Sequence, residues 1–154
     1  MEKILISGVN VFIDLLEIGL LDELFHIDCE VYTTDYVKLE LLREAQKDSV
    51  LRFEQKGVLH VAAFDFDEVI KIDTIYRHYK NKTNLSMADC SVWYYAKQNN
   101  YTVLTEDGKI HISALNEGVK VRGIRYLLDE LVEAGVISQD TASEKLLRLN
   151  SLTP

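Results

Sequence analysis

The stretch LSMADCSVWYYAKQNNYTVLTEDGKI, Leu85 to Ile110, decides how the fold is read. From Ser86 it carries a helical pattern, with Val92, Trp93 and Ala96 recurring at three-to-four spacing to form one apolar stripe. Asn99 and Asn100 end the helix. YTVLT then reads as a short, buried strand, because it is β-branched and aromatic and is followed by the turn signal EDG. Two acids stand out in this helix-strand unit. Asp89 falls within the apolar stripe, where a carboxylate is costly unless it is hydrogen-bonded, paired or bound to a cation. Asp107 directly follows the strand, and in an open α/β sheet ligands gather beyond the carboxyl ends of the strands.

Working outward, the same alternation recurs. KILIS, residues 3 to 7, reads as a first strand, followed by a helix with Phe12, Leu15, Leu16 and Ile18 inside and a break at Gly19 before LLDELF. EVYTT, Glu30 to Thr34, is a second strand, with Thr34 or Asp35 capping a helix that the apolar face Val37, Leu41 and Ala45 carries through Ala45. Another helix is expected from Asp48 to Lys56, ending at Gly57, before the strand VLHVAAF and the amphipathic helix FDEVIKIDTIYRHYKNK. Beyond Asp107, the pattern predicts a helix over Lys109 to Asn116, the strand VKVRG, the helix IRYLLDELVEAG and a last helix starting near Ser138. Strands alternating with helices imply an α/β domain: a three-layer α/β/α sandwich around a central, mostly parallel sheet, with residues 1–154 as one domain.

Composition narrows the function classes. The chain is 47% hydrophobic and 27% charged, as expected for a globular domain that is neither disordered nor embedded in a membrane. The apolar region near the start is interrupted by Asp14, Glu17 and Asp22 and has no basic leader, so a cytoplasmic chain is expected. A formal charge of −8 argues against a broad basic surface for nucleic acid, although carboxylates gathered around a cation would contribute to that total. Cys29 and Cys90 are too few for a disulfide framework, and His26, His60, His78 and His111 have no metal-ligand spacing. Glycine-rich phosphate loops and serine nucleophile motifs are absent from the sequence.

What remains is carboxylate chemistry. Glu40, Asp89 and Asp107 are hard oxygen donors of the kind that suits Mg²⁺ or Mn²⁺. Taken singly, each has a plain structural role. Asp89 suits a helix N-terminus, Asp107 a turn, and Glu40 a solvated helix beside Lys38 and Arg43. Their joint placement shifts the balance toward a site.

VKLE after the second strand, LSMAD, LTED and VKVRGI followed by LLDELVEAGVIS together resemble the PIN domain, in particular the VapC-like toxin nucleases. The resemblance covers nearly the whole chain, and the order and spacing of these short motifs carry it. It implies a metal-dependent endoribonuclease that cuts single-stranded RNA with Mg²⁺ or Mn²⁺. Glu40, Asp89 and Asp107 then match the second, third and fourth metal-binding acids. Thr105 matches a hydroxyl and Asn10 a polar residue of the catalytic set.

The first acid is missing: Gly8 stands where the family has an aspartate. Asp14, six residues on and about a turn and a half farther along a helix, is not expected to replace it. Such a vacancy should weaken metal binding and impair activity. The alternative is a catalytically inactive PIN domain that binds an antitoxin or RNA. Lys109 and Lys82, with Arg77 and Lys80, are the nearest basic residues for RNA, and a solvated helix face is the simpler role for the last three. The resemblance further implies a homodimer and a small antitoxin partner. Phe12, Leu15, Leu16, Leu20, Leu21, Leu24 and Phe25 are candidates for that surface, with core packing as the competing role.

Overall fold

The computed structural model describes residues 2–27, 29–41, 43–82, 85–106 and 118–152. Its strands are β1 (Glu2–Ile6), β2 (Cys29–Thr34), β3 (Leu59–Ala62), β4 (Thr102–Leu104) and β5 (Val121–Arg122). They form one sheet in the order β3-β2-β1-β4-β5, and every pairing is parallel. The helices among the described residues are α1 (Gly8–Glu17), α2 (Leu21–Leu24), α3 (Asp35–Glu40), α4 (Glu44–Gln55), α5 (Phe66–Tyr79), α6 (Met87–Asn99), α7 (Ile124–Glu133) and α8 (Gln139–Leu152). None of them is long and apolar enough to cross a membrane.

The sheet is covered on both faces because its central strand is apolar on both. Ile4, Leu5 and Ile6 point alternately to opposite sides, yet they are only 3%, 0% and 0% exposed. On the Leu5 side the register places Tyr32 beside Leu5, and α6 packs there through Tyr95 against Tyr32 and through Ser91, whose hydroxyl lies 2.8 Å from that of Thr34. On the opposite side Ile4 shares a cavity wall with Tyr126 and Glu130 of α7. Helices on both faces of a parallel sheet are the three-layer arrangement expected from the alternating sequence.

Local signals set most helix ends. Thr34 accepts from the Val37 N–H at 3.2 Å, Ser86 and Asp89 form a reciprocal capping box on α6, and Asn100 closes that helix in the left-handed region at φ 56°. The α3 helix differs from expectation. It stops at Glu40, Leu41 turns extended at ψ 122°, and α4 starts at Glu44, before the expected Asp48. The turn lets Leu41 enter the core at 1% exposure, whereas Ala45, assigned to the same apolar face, is exposed. The expected helix over Lys109 to Asn116 lies outside the described residues.

The early apolar helices belong to the interior. Phe12, Leu15, Leu20, Leu21 and Leu24 are buried, and Leu16 and Phe25 pack against the same core while half-buried. Core packing therefore accounts for these residues, and they do not form an exposed docking surface.

Candidate functional site

Strand order locates the site. From β1 the chain runs outward through β2 and β3 on one side, then returns to β4 on the other. The crevice beyond the carboxyl ends of β1 and β4 is thus the topological switch point of the sheet. The Ser7 N–H donates to the Leu104 carbonyl at 3.1 Å and ties the two strand ends together there. The buried Ser7 hydroxyl oxygen has no hydrogen-bond partner among the described residues.

Gly8 and Asp89 meet at this edge. Gly8 opens α1 with φ +66°, a conformation that favours glycine, and a Cβ at that position would stand 3.2 Å from Asp89 Oδ1. Asp89 is fixed from its other side: Oδ2 accepts from the Ser86 N–H at 3.0 Å, while the Asp89 N–H donates to the Ser86 hydroxyl at 3.1 Å. Its structural role as a helix cap and its placement in the crevice hold together, with one carboxylate oxygen assigned to each.

Glu40 joins this pair from the end of α3. Part of the residue stays in solvent, but its carboxyl is held above the usual carboxylate range, first by desolvation and second by the charge of Asp89, with a Ser86 hydrogen bond opposing both. The next residue along α6 feels the same surroundings, since the Cys90 thiol is pushed up to about 12 by burial and then by Asp89. Glu40 and Asp89 therefore present like charges to one space, with the Gly8 backbone close against Asp89. That donor set fits a hard divalent cation, which would relieve the repulsion between the two acids. Asp107, the third expected ligand, lies outside the described residues, as does Lys109. Among the described residues, no group of three or more His, Cys, Asp or Glu side chains comes together as a metal site.

Of the remaining predicted positions, Thr105 and Asn10 belong to the segments that leave β4 and β1 at this edge. Thr105 is buried at the end of β4, where its N–H donates to the Arg122 carbonyl at 2.9 Å. Asn10 is exposed on the first turn of α1, and Lys82 is exposed in the turn that follows α5. Arg77 is held by Asp73 at 2.8 Å on the surface of α5, as a solvated helix face would have it.

Glu106 was not singled out from the sequence. Its carboxylate accepts from the Ile124 N–H and so caps α7 from a distant part of the chain. Asp14 approaches the same group. Its carboxyl is raised first by burial and next by the charge of Glu106. One signal was available in the sequence: Gly123 occupies the N-cap of α7 in VRGIR, where a Ser, Thr, Asp or Asn would be the local solution. A missing local cap asks for a remote one.

A family model described as DUF3368: PIN domain matches residues 4–152. The chain belongs to the PIN domain family. Among solved structures, this PIN domain is similar to VapBC2 from Rickettsia felis bound to a DNA fragment from their promoter, with a TM-score of 0.51 and 14% identity over 78% of this chain and 98% of that one. It is also similar to FitAcB from Neisseria gonorrhoeae, with a TM-score of 0.44 and 23% identity over 77% and 95% of the two chains. A PilT N-terminus domain protein from Sulfolobus solfataricus matches with a TM-score of 0.45 and 13% identity over 86% and 92%. No curated protein matches this PIN domain.

Proposed function

We propose that this PIN domain is a divalent-metal-dependent endoribonuclease of the VapC toxin type, acting on single-stranded RNA, with activity reduced by Gly8 at the first-acid position. Membership of the PIN family supports a nuclease-type function in general. The observation that carries the finer reading is the convergence of Glu40 and Asp89 beside Gly8, beyond the carboxyl ends of the strands at the switch point. Glu40, Asp89 and Asp107 would hold Mg²⁺ or Mn²⁺. When bound, such an ion supplies an acidified water and stabilises negative charge on the phosphate oxygens. Ser86 fixes the Asp89 carboxylate in place. Thr105 and Asn10 orient groups around the crevice, and Lys109 and Lys82 attract the RNA backbone. The reading includes a cytoplasmic homodimer of one-domain chains controlled by a small antitoxin, motivated by the resemblance to VapC-like toxins.

The test is cleavage of single-stranded RNA with Mn²⁺ and with EDTA. Metal-dependent cutting is expected, and Asp89→Asn should lower it by roughly a hundredfold or more, since even a supporting partner of a metal ligand typically costs 10–100-fold. Asparagine keeps an oxygen for the Ser86 N–H, so the fold is retained. Equal nicking with and without metal would sink the mechanism. Gly8 favours a second reading, an inactive PIN domain that binds a protein or RNA; binding of RNA with no metal-dependent cleavage is its signature.

A further inference from the structure

The pole of the sheet opposite the acids brings three basic residues to one cavity. Lys3 is the second residue of β1, Tyr101 immediately precedes β4, and Lys120 immediately precedes β5, so these residues stand at the amino ends of the strands. With Asn99, Asn100 and Arg122 they line an open cavity of about 620 Å³. That lies within the roughly 300–1,000 Å³ typical of ligand sites. In a chain of net charge −8, three cations around one cavity are a local exception.

Their availability differs. Lys3 is committed to Glu30 at 2.5 Å and lies near the rings of Tyr32 and Tyr101, at 5.6 and 5.8 Å from their centroids. Lys120 and Arg122 form no ion pair among the described residues, and both are exposed. Arg122 donates one N–H to the Val121 carbonyl at 2.9 Å and stacks 5.5 Å from the centre of the Tyr126 ring, which orients the guanidinium and leaves its other donors for a ligand. Asn100 is held in the left-handed conformation at the end of α6, and beside it the half-buried Tyr101 ring packs against Tyr32 and Tyr95, at 4.9 and 5.7 Å between ring centroids, and meets the cavity with the part they leave uncovered.

We propose that this cavity binds single-stranded nucleic acid, with Lys120 and Arg122 on successive phosphates and the Tyr101 ring as a stacking surface. Two exposed cations, without an ion pair among the described residues, beside one aromatic ring fit a phosphodiester strand better than an acidic peptide, which offers charge but no flat rings to stack. The cavity lies away from the switch point, so it binds and does not cut. The inference rests on the proposed nuclease function only in taking RNA as the ligand.

Binding is measured in EDTA, by fluorescence anisotropy of a labelled uridine oligonucleotide across a salt series. The double variant Lys120→Gln/Arg122→Gln should weaken binding by at least about tenfold near 0.1 M salt and reduce the slope of log affinity against log salt by about 1.4, as expected for two single-strand phosphate contacts. Tyr101→Leu, which keeps an apolar side chain there, should weaken binding without changing that slope. An unchanged affinity and slope in the folded double variant, checked by circular dichroism, would overturn the assignment. So would equal competition by polyglutamate at matched charge, which would identify an acidic-protein surface. Because no metal is present, loss of this binding is independent of whether the chain cuts RNA with Mn²⁺.

Discussion

The two edges of the sheet handle charge in opposite ways. At the amino edge, unlike groups neutralise one another: Lys3 and Tyr32 both donate to the Glu30 carboxylate at 2.5 Å, holding it below its usual range, while the Lys3 ammonium is raised in return. At the carboxyl edge, like groups are brought together: Glu40 is raised by burial and by Asp89, and Asp14 by burial and by Glu106. An ion pair completes itself, whereas converging carboxylates leave a demand for positive charge. One edge holds the Lys3–Glu30 ion pair and the other brings acids together, and each of the following changes strikes one edge.

Gly8→Asp should have the largest effect. It places a side chain in the left-handed region at φ +66° and brings a Cβ to 3.2 Å from Asp89 Oδ1. The backbone alone costs about 1–2 kcal/mol, with aspartate at the lower end because its short polar side chain tolerates that region. A third carboxylate adds repulsion in metal-free protein. In EDTA the variant should melt roughly 2–8 °C below the wild type. Added Mn²⁺ should raise its melting temperature by more than it raises the wild type, because the new acid faces the same space as Asp89. Equal Mn²⁺ shifts in the two proteins would break the claim that Gly8 adjoins the cation site.

How much of this was legible in the sequence depends on whether the interaction is local. The Asp89 helix, its Ser86 start and its Asn100 end follow from signals within a few residues, and the apolar strands announce a sheet covered on both faces. The α3 ending did not show, because Leu41 leaves the helix to reach a core that its spacing from Val37 does not reveal. The competing roles of the early helices were settled only by tertiary packing. The motif alone points to Gly8 as an expected vacancy, but its approach to Asp89 joins residues eighty-one positions apart and required the parallel sheet to bring them together. Glu106 stayed hidden for the same reason, since its partner Ile124 is eighteen residues away.

Gly123→Ala tests that hidden contact with a smaller effect. Its backbone, at φ −94° and ψ 176°, accepts alanine without strain, but the new Cβ would lie 2.8 Å from Glu106 Oε1. The carboxylate must swing away and leave the Ile124 N–H without its acceptor. Loss of a helix cap costs about 1 kcal/mol. The loss should appear as a lower denaturant midpoint and should largely vanish in a Glu106→Ala background, where the cap is already gone. An equal cost in both backgrounds would mean that Gly123 acts through the backbone, and Glu106 would no longer count as the remote cap of α7.

The smallest expected effect lies at the amino edge and is recognised by its pH dependence. Glu30 has a folded pKa below its ordinary 4.5, so it binds its proton less tightly when folded than when unfolded. Its stabilising contribution is complete above 4.5 and is lost as pH falls through the lower, folded value. Lys3 is raised above 10.5, so its contribution is complete below that value and is lost only in stronger alkali. Glu30→Gln should therefore melt below the wild type by a constant amount from pH 6 to about 9, with the gap closing under acid as the wild-type carboxylate is neutralised. Comparing the two proteins at each pH cancels the raised acids of the opposite edge, which both share. A gap that persisted unchanged at pH 2 would show that Glu30 contributes through shape or packing and not through its ion pair with Lys3.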